Sequence, residues 1–180
     1  VSTHNGEEKI CAEAHQKLKK KYKKLLTVII PRHVHRVNDI YKEILDMGFK
    51  VQIHSKKSKI KKDTDIYLVD TYGETKSFFK ICNTVFLGGS IVNHGGQNPL
   101  EPARFGCKIL HGPNIQNFTE VYRLLNKENL SFKFYNTNQL AKSVNQSLNQ
   151  NINFSKKITK LKKIGSNILN HTSTEINCFL

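Results

Sequence analysis

Four short stretches carry residue types suited to gripping a small anionic ligand. Pro31-Arg32-His33 offers a guanidinium, a planar fork able to hold a phosphate or carboxylate through two hydrogen bonds, or to form an ordinary surface ion pair. Gly88-Gly89-Ser90, followed by Gly95-Gly96, removes side chains, so that backbone N–H groups can approach an anion or the chain can take a tight turn. Asn98-Pro99-Leu100-Glu101 reads as the start of a helix. Its free N–H donors and positive dipole end favour a phosphate, and the Glu101 carboxylate suits a ribose diol or plain dipole compensation. Asp70-Thr71-Tyr72-Gly73-Glu74 exposes backbone groups able to read a base edge, or caps the next helix through Asp70 or Thr71.

These stretches need elements to position them, and the surrounding pattern supplies strands and helices in turn. Leu25–Ile30, Phe49–His54, Ile66–Val69, Thr84–Leu87, Lys108–Leu110 and Ser131–Tyr135 read as strands. Helical spacing covers Val37–Met47 up to Gly48, then Glu74–Cys82 with Phe78, Phe79 and Ile81 apolar, and Leu100–Phe105. It continues in Phe118–Leu125 with Asn117 as N-cap, in Asn138–Leu148 and in Phe154–Leu169. Such alternation predicts an α/β fold, a Rossmann-like parallel sheet with helices on both faces and right-handed crossovers. Ligands of these sheets bind beyond the carboxyl ends of the strands, where all four stretches fall. His111-Gly112-Pro113 follows the Lys108–Leu110 strand at the same edge.

Composition narrows the field. The 180 residues suffice for one domain with a core. The start at Val1, close to a motif-like polar stretch, reads as a cut through a longer protein. No apolar run approaches the roughly 20 residues of a membrane span, and no signal peptide is visible. Cys11, Cys82, Cys107 and Cys178 lack metal-type spacing and read as reduced thiols, with Cys82 and Cys107 filling the core. The eight histidines show no paired ligand spacing, so no metal site and no cofactor is expected. The net charge of +15 is concentrated in Lys19–Lys24 and Lys56–Lys62. Solvated surface, an anionic membrane or lipid substrate, and nucleic acid all fit such runs. Aromatics do not interleave with them as a base-stacking platform requires, so nucleic acid is not expected as a partner.

Taken together the motifs resemble the C-terminal half of bacterial 3-deoxy-D-manno-octulosonic acid (Kdo) transferases. The resemblance rests on Gly88-Gly89-Ser90, Gly95-Gly96-x-Asn98-Pro99-Leu100-Glu101-Pro102, Gly112-Pro113 and Asn117-Phe118. Pro31-Arg32-His33, Asp70-Thr71-x-Gly73-Glu74 and the opening Ser2-Thr3-His4-x-Gly6-Glu7-Glu8 match in the same order, and the likeness spans about residues 1 to 170. Tyr72 stands where the family usually has Met, and Val34 follows Pro31-Arg32-His33 where it usually has Pro.

The resemblance implies a GT-B enzyme, with residues 1–180 forming the nucleotide-sugar (CMP-Kdo) domain and an N-terminal acceptor domain absent from this chain. It implies a lipid A precursor as acceptor at the cytoplasmic face of the bacterial inner membrane. Carried over by position, CMP contacts fall to Pro31, Arg32, Tyr72, Gly73, Glu74, Asn98, Pro99, Leu100 and Glu101. Further donor contacts fall to Gly88, Gly89, Ser90, Gly95 and Gly96. The catalytic base of the family is a carboxylate of the N-terminal domain, so no catalytic residue is assigned here. The leaving group is a monophosphate, which requires no metal. Another GT-B transferase, a basic module binding nucleic acid or membrane, and an inactive fragment are the competing readings.

Overall fold

The computed structural model describes residues 1–56 and 59–149, together with Thr159; the helix expected over Phe154–Leu169 and Cys178 lie outside the described residues. Among the described residues an opening helix is followed by six strands and five further α-helices, which alternate except that the second and third strands are joined without an α-helix between them. These are α1 (Glu7–Lys19), β1 (Thr27–Ile29), α2 (Val37–Asp46), β2 (Val51–Ile53), β3 (Ile66–Leu68) and α3 (Thr75–Ile81). There follow β4 (Thr84–Phe86), α4 (Leu100–Arg104), β5 (Lys108–His111), α5 (Thr119–Lys127), β6 (Ser131–Lys133) and α6 (Thr137–Leu148). Helix α1 is an addition to the elements expected from the sequence, where Ser2–Glu8 was read only as a motif.

All pairings are parallel, in two three-stranded sheets ordered β1-β3-β2 and β4-β5-β6. The single sheet expected from the alternation is thus divided between β1 and β4. Residues Val1 to Thr3 stitch the halves. Val1 N donates to Phe86 O and Gly88 N to Val1 O, while Thr3 N donates to Ile30 O and Arg32 N to Thr3 O. The opening segment therefore runs between the carboxyl ends of β1 and β4.

The strands are mainly apolar because both faces are covered, and the alternation of their contacts shows it. Ile66 and Leu68 of β3 pack with Ile29, Val37, Ile40 and Ile44 on one face, while Tyr67 and Val69 pack with Ile30 on the other. In β5, Ile109 joins Phe79, Val85, Tyr122 and Leu125, and the next residue, Leu110, joins Leu18, Phe134 and Leu140 across the sheet. Cys107 fills the core as expected, its Sγ 3.1 Å from Cys82 O and its pKa pushed up to about 12 by burial; Cys82 is only half-buried. Ile81 points outward, 74% exposed, on the solvent side of the short α3. One local expectation fails. Asn117 does not cap α5: the N-cap is Phe118, and Asn117 Nδ2 instead donates to His94 O at 3.2 Å.

Candidate functional site

Parallel strands direct every following loop to one edge, and His4 knits two of these loops together there. Leaving the Val1–Thr3 segment, its ring lies 6.0 Å from His33 after β1 and 4.1 Å from His94 after β4, centroid to centroid. His33 stacks in turn on His35 at 5.5 Å, and Gln97 Nε2 stands 3.5 Å from His4 Nε2. The β5–α5 loop closes on the same loop after β4: Asn114 N donates to Ser90 O, Gly112 N to Ser90 Oγ and Asn117 N to Gly95 O.

The glycine loop holds an anion, but that anion belongs to the chain. The Glu7 carboxylate, 0% exposed, accepts from four backbone amides. Its Oε2 takes His4 N at 2.9 Å and Gly89 N at 2.7 Å, and its Oε1 takes Ser90 N at 3.1 Å and Ile91 N at 2.9 Å. Gly89 has a φ of +66°, which turns successive N–H groups inward as an anion nest. At Gly88 a Cβ would run into Ser2 O and the Thr3 backbone, so glycine is required by close approach of the opening segment. In this structure the amides of Gly88, Gly89, Ser90 and Gly96 are all engaged within the chain. Gly88 N is bonded to Val1 O, Gly89 N and Ser90 N to Glu7, and Gly96 N to Gly89 O at 2.8 Å. Gly95 is buried against the Asn117 side chain.

The remaining stretches differ in how far their polar groups are engaged within the chain. Arg32 is exposed, and among the described residues no carboxylate pairs with it. After β3, neither Asp70 nor Thr71 caps α3. Asp70 Oδ1 accepts from Ser55 N at 2.8 Å and its other oxygen from Ser55 Oγ, and the Thr71 hydroxyl is buried without a hydrogen-bond partner. Tyr72 is 72% exposed, Gly73 is exposed beside it, and Glu74 stands 3.9 Å from His54 Nε2.

Asn98 is exposed and its Oδ1 accepts from Leu100 N at 3.0 Å. Helix α4 is a five-residue turn, so its dipole is slight and one of its leading amides is already occupied. Pro99 is buried, and Glu101 reaches across to Lys76 of α3 at 3.9 Å, an exposed pair of little energetic weight. That pair nevertheless sets the start of α3 beside the start of α4. His111 is buried, with Nδ1 2.7 Å from Gly112 O and its pKa lowered, above all by burial.

Lys20, Lys23 and Lys24 are exposed beyond the carboxyl end of α1, which follows the Val1–Thr3 segment and returns the chain to the start of β1. Among the described residues no group of three or more His, Cys, Asp or Glu is disposed to hold a metal, and no helix is long and apolar enough to cross a membrane. A cavity of about 430 Å³ opens between β1 and β4, lined by core residues such as Leu26, Val28, Phe78 and Val85 rather than by the edge loops. Two features escaped the sequence reading. The histidines of the edge come from three separate segments, so no spacing betrays them. The role of Glu7 was signalled only by two adjacent acids opening a helix in a strongly basic chain.

This geometry can be set against known proteins. No protein-family model matches the chain. A 3-deoxy-D-manno-octulosonic acid transferase of Haemophilus influenzae is 37% identical over 125 residues, covering 69% of this chain and 29% of that protein. One of Aquifex aeolicus is 30% identical over 147 residues, covering 82% of this chain and 40% of that protein. The chain belongs to the Kdo transferase family. It spans well under half the length of these curated relatives. Among solved structures, the C-terminal CMP-Kdo binding domain of WaaA from Acinetobacter baumannii superposes with a TM-score of 0.82. It is 24% identical and covers 91% of this chain and 85% of its own. The likeness establishes the fold of this Kdo transferase family chain, in agreement with the parallel sheets flanked by helices expected from the sequence.

Proposed function

We propose that the chain is the donor-binding half of a Kdo transferase and holds CMP-Kdo at the carboxyl edge of its strands. One observation carries the reading: Arg32, Tyr72, Gly73, Asn98 and Glu101 keep exposed or half-exposed groups at the edge where parallel strands deliver ligands, inside a chain of this family. Arg32 holds the phosphate and stabilises the departing CMP, since a guanidinium fork meets two phosphate oxygens at once. Glu101 accepts from the ribose hydroxyls, and Tyr72, Gly73 and Glu74 border the cytosine, with Pro31, Asn98, Pro99 and Leu100 shaping the remainder of the nucleotide contact. The orphaned Thr71 hydroxyl supplies a further polar group under the base loop.

In this reading an N-terminal domain contributes the acceptor site and the catalytic carboxylate. The acceptor is a lipid A precursor at the cytoplasmic face of the inner membrane, towards which the basic surface is attracted.

Calorimetry with CMP and UDP tests the proposal. CMP is expected to bind and UDP to bind at least tenfold more weakly; equal or tighter UDP binding gives the site to another nucleotide sugar. Arg32→Ala is expected to weaken CMP about 10- to 100-fold, the worth of a charge-assisted hydrogen bond. The unfolding midpoint should stay unchanged, because the side chain is exposed and unpaired. Wild-type affinity in that variant would remove Arg32 from the site.

A further inference from the structure

The histidines at the edge have no part in the donor reading above, and their arrangement points to one. His4, His33, His35 and His94 form a continuous chain of rings, 6.0 Å from His4 to His33, 5.5 Å from His33 to His35 and 4.1 Å from His4 to His94. His33 directly follows Arg32, and Gln97 of the cluster directly precedes Asn98, so the segments that bear the rings also bear residues given to the donor phosphate. His33, His35 and His94 are exposed and His4 is half-buried. The carboxylates next to them are already engaged: Glu7 accepts four amides, and Glu8 is held by Arg36, with Nη1 3.0 Å from Oε1 and Nη2 3.3 Å from Oε2. Imidazole N–H groups donate hydrogen bonds, and a protonated ring carries positive charge, so an anion is a partner that such a cluster suits.

A Kdo donor carries two anionic groups, the phosphodiester and the carboxylate of the sugar acid on the same anomeric carbon. Resting on the donor reading, we propose that the four imidazoles form an acid-gated subsite for that carboxylate, beside the phosphate held by Arg32. Imidazole is the side chain whose ordinary charge change falls between about pH 5 and 8, which makes a histidine-lined subsite a natural place to couple ligand binding to protons. Rings this close resist joint protonation unless an anion lies among them, which couples proton uptake to ligand binding. The groups facing His4 agree with this account. Its pKa is lowered first by burial and then by His94, with His33 and Arg36 acting in the same direction and Glu7 opposing them. A bound carboxylate reverses that balance, so ligand and proton each tighten the binding of the other.

The test is calorimetry on the 180-residue chain between pH 5.5 and 8.0, using freshly prepared CMP-Kdo and, as a ligand without the carboxylate, the methyl ester of CMP. Neither ligand changes charge over this range, so any slope comes from the protein. CMP-Kdo is expected to bind about tenfold tighter at pH 5.5 than at 8.0, and the methyl ester to gain about threefold or less. In the H33Q/H35Q/H94Q variant the CMP-Kdo slope should fall to that of the ester. A flat CMP-Kdo profile in the wild type, or a slope unchanged in the triple variant, overturns the subsite. Failure of both ligands to bind at any pH overturns the donor reading instead.

Discussion

Glu7→Ala is expected to destabilise the chain by about 4 kcal/mol, measured as a loss of urea-unfolding free energy, because it leaves four buried backbone amides without an acceptor. The more telling variant is Glu7→Gln, which preserves shape and removes the charge. Each carboxylate oxygen accepts from two N–H groups, so either orientation of a glutamine amide sets its NH2 against two donors. A loss of about 3 kcal/mol is expected for this near-isosteric change. Stability within about 1 kcal/mol of wild type would mean that the nest tolerates a neutral side chain and that its amides are not committed to the anion. The consequence reaches the ligand edge. The loop after β4 is set by Glu7, and with it His94 and the lead into Asn98.

Arg36→Ala should cost about 3 kcal/mol or more in the same measurement, since it strands the Glu8 carboxylate, 0% exposed, without its bidentate partner. The double variant Glu8→Leu with Arg36→Met separates the pair from its surroundings. It removes both charges together, and recovery of most of the loss is expected, because apolar groups of similar volume often replace a buried ion pair at little cost. If the double variant is as unstable as Arg36→Ala alone, packing around Arg36 rather than the stranded charge is responsible.

These two acids mark the point where sequence reading stopped. The motif Ser2-Thr3-His4-x-Gly6-Glu7-Glu8 was recognisable as a string, yet its work is done on residues more than 80 positions away for Glu7 and 28 away for Glu8. The glycine pair at 88 and 89 showed the opposite limit. The pair read equally as a cradle of amides for an anion and as a tight turn, and in the structure the Gly89 amide takes a side chain from α1. A nest has the same local geometry whichever carboxylate or phosphate enters it, so the local sequence cannot name its guest.

The alternation of apolar runs with helical spacing determined the α/β class and the strand positions by itself, because strands covered on both faces are mainly apolar and crossovers must cover them. The order of the chain also sent the candidate loops to one edge, since parallel strands allow nothing else. Only the tertiary structure decided which polar groups at that edge remain open. It closed the glycine loop on Glu7, left Arg32 without a carboxylate, and drew His4, His33 and His94 from distant segments into one cluster. Those outcomes depend on which long-range partner satisfies each buried donor or charge, a competition settled by packing across the whole domain rather than by neighbours along the chain.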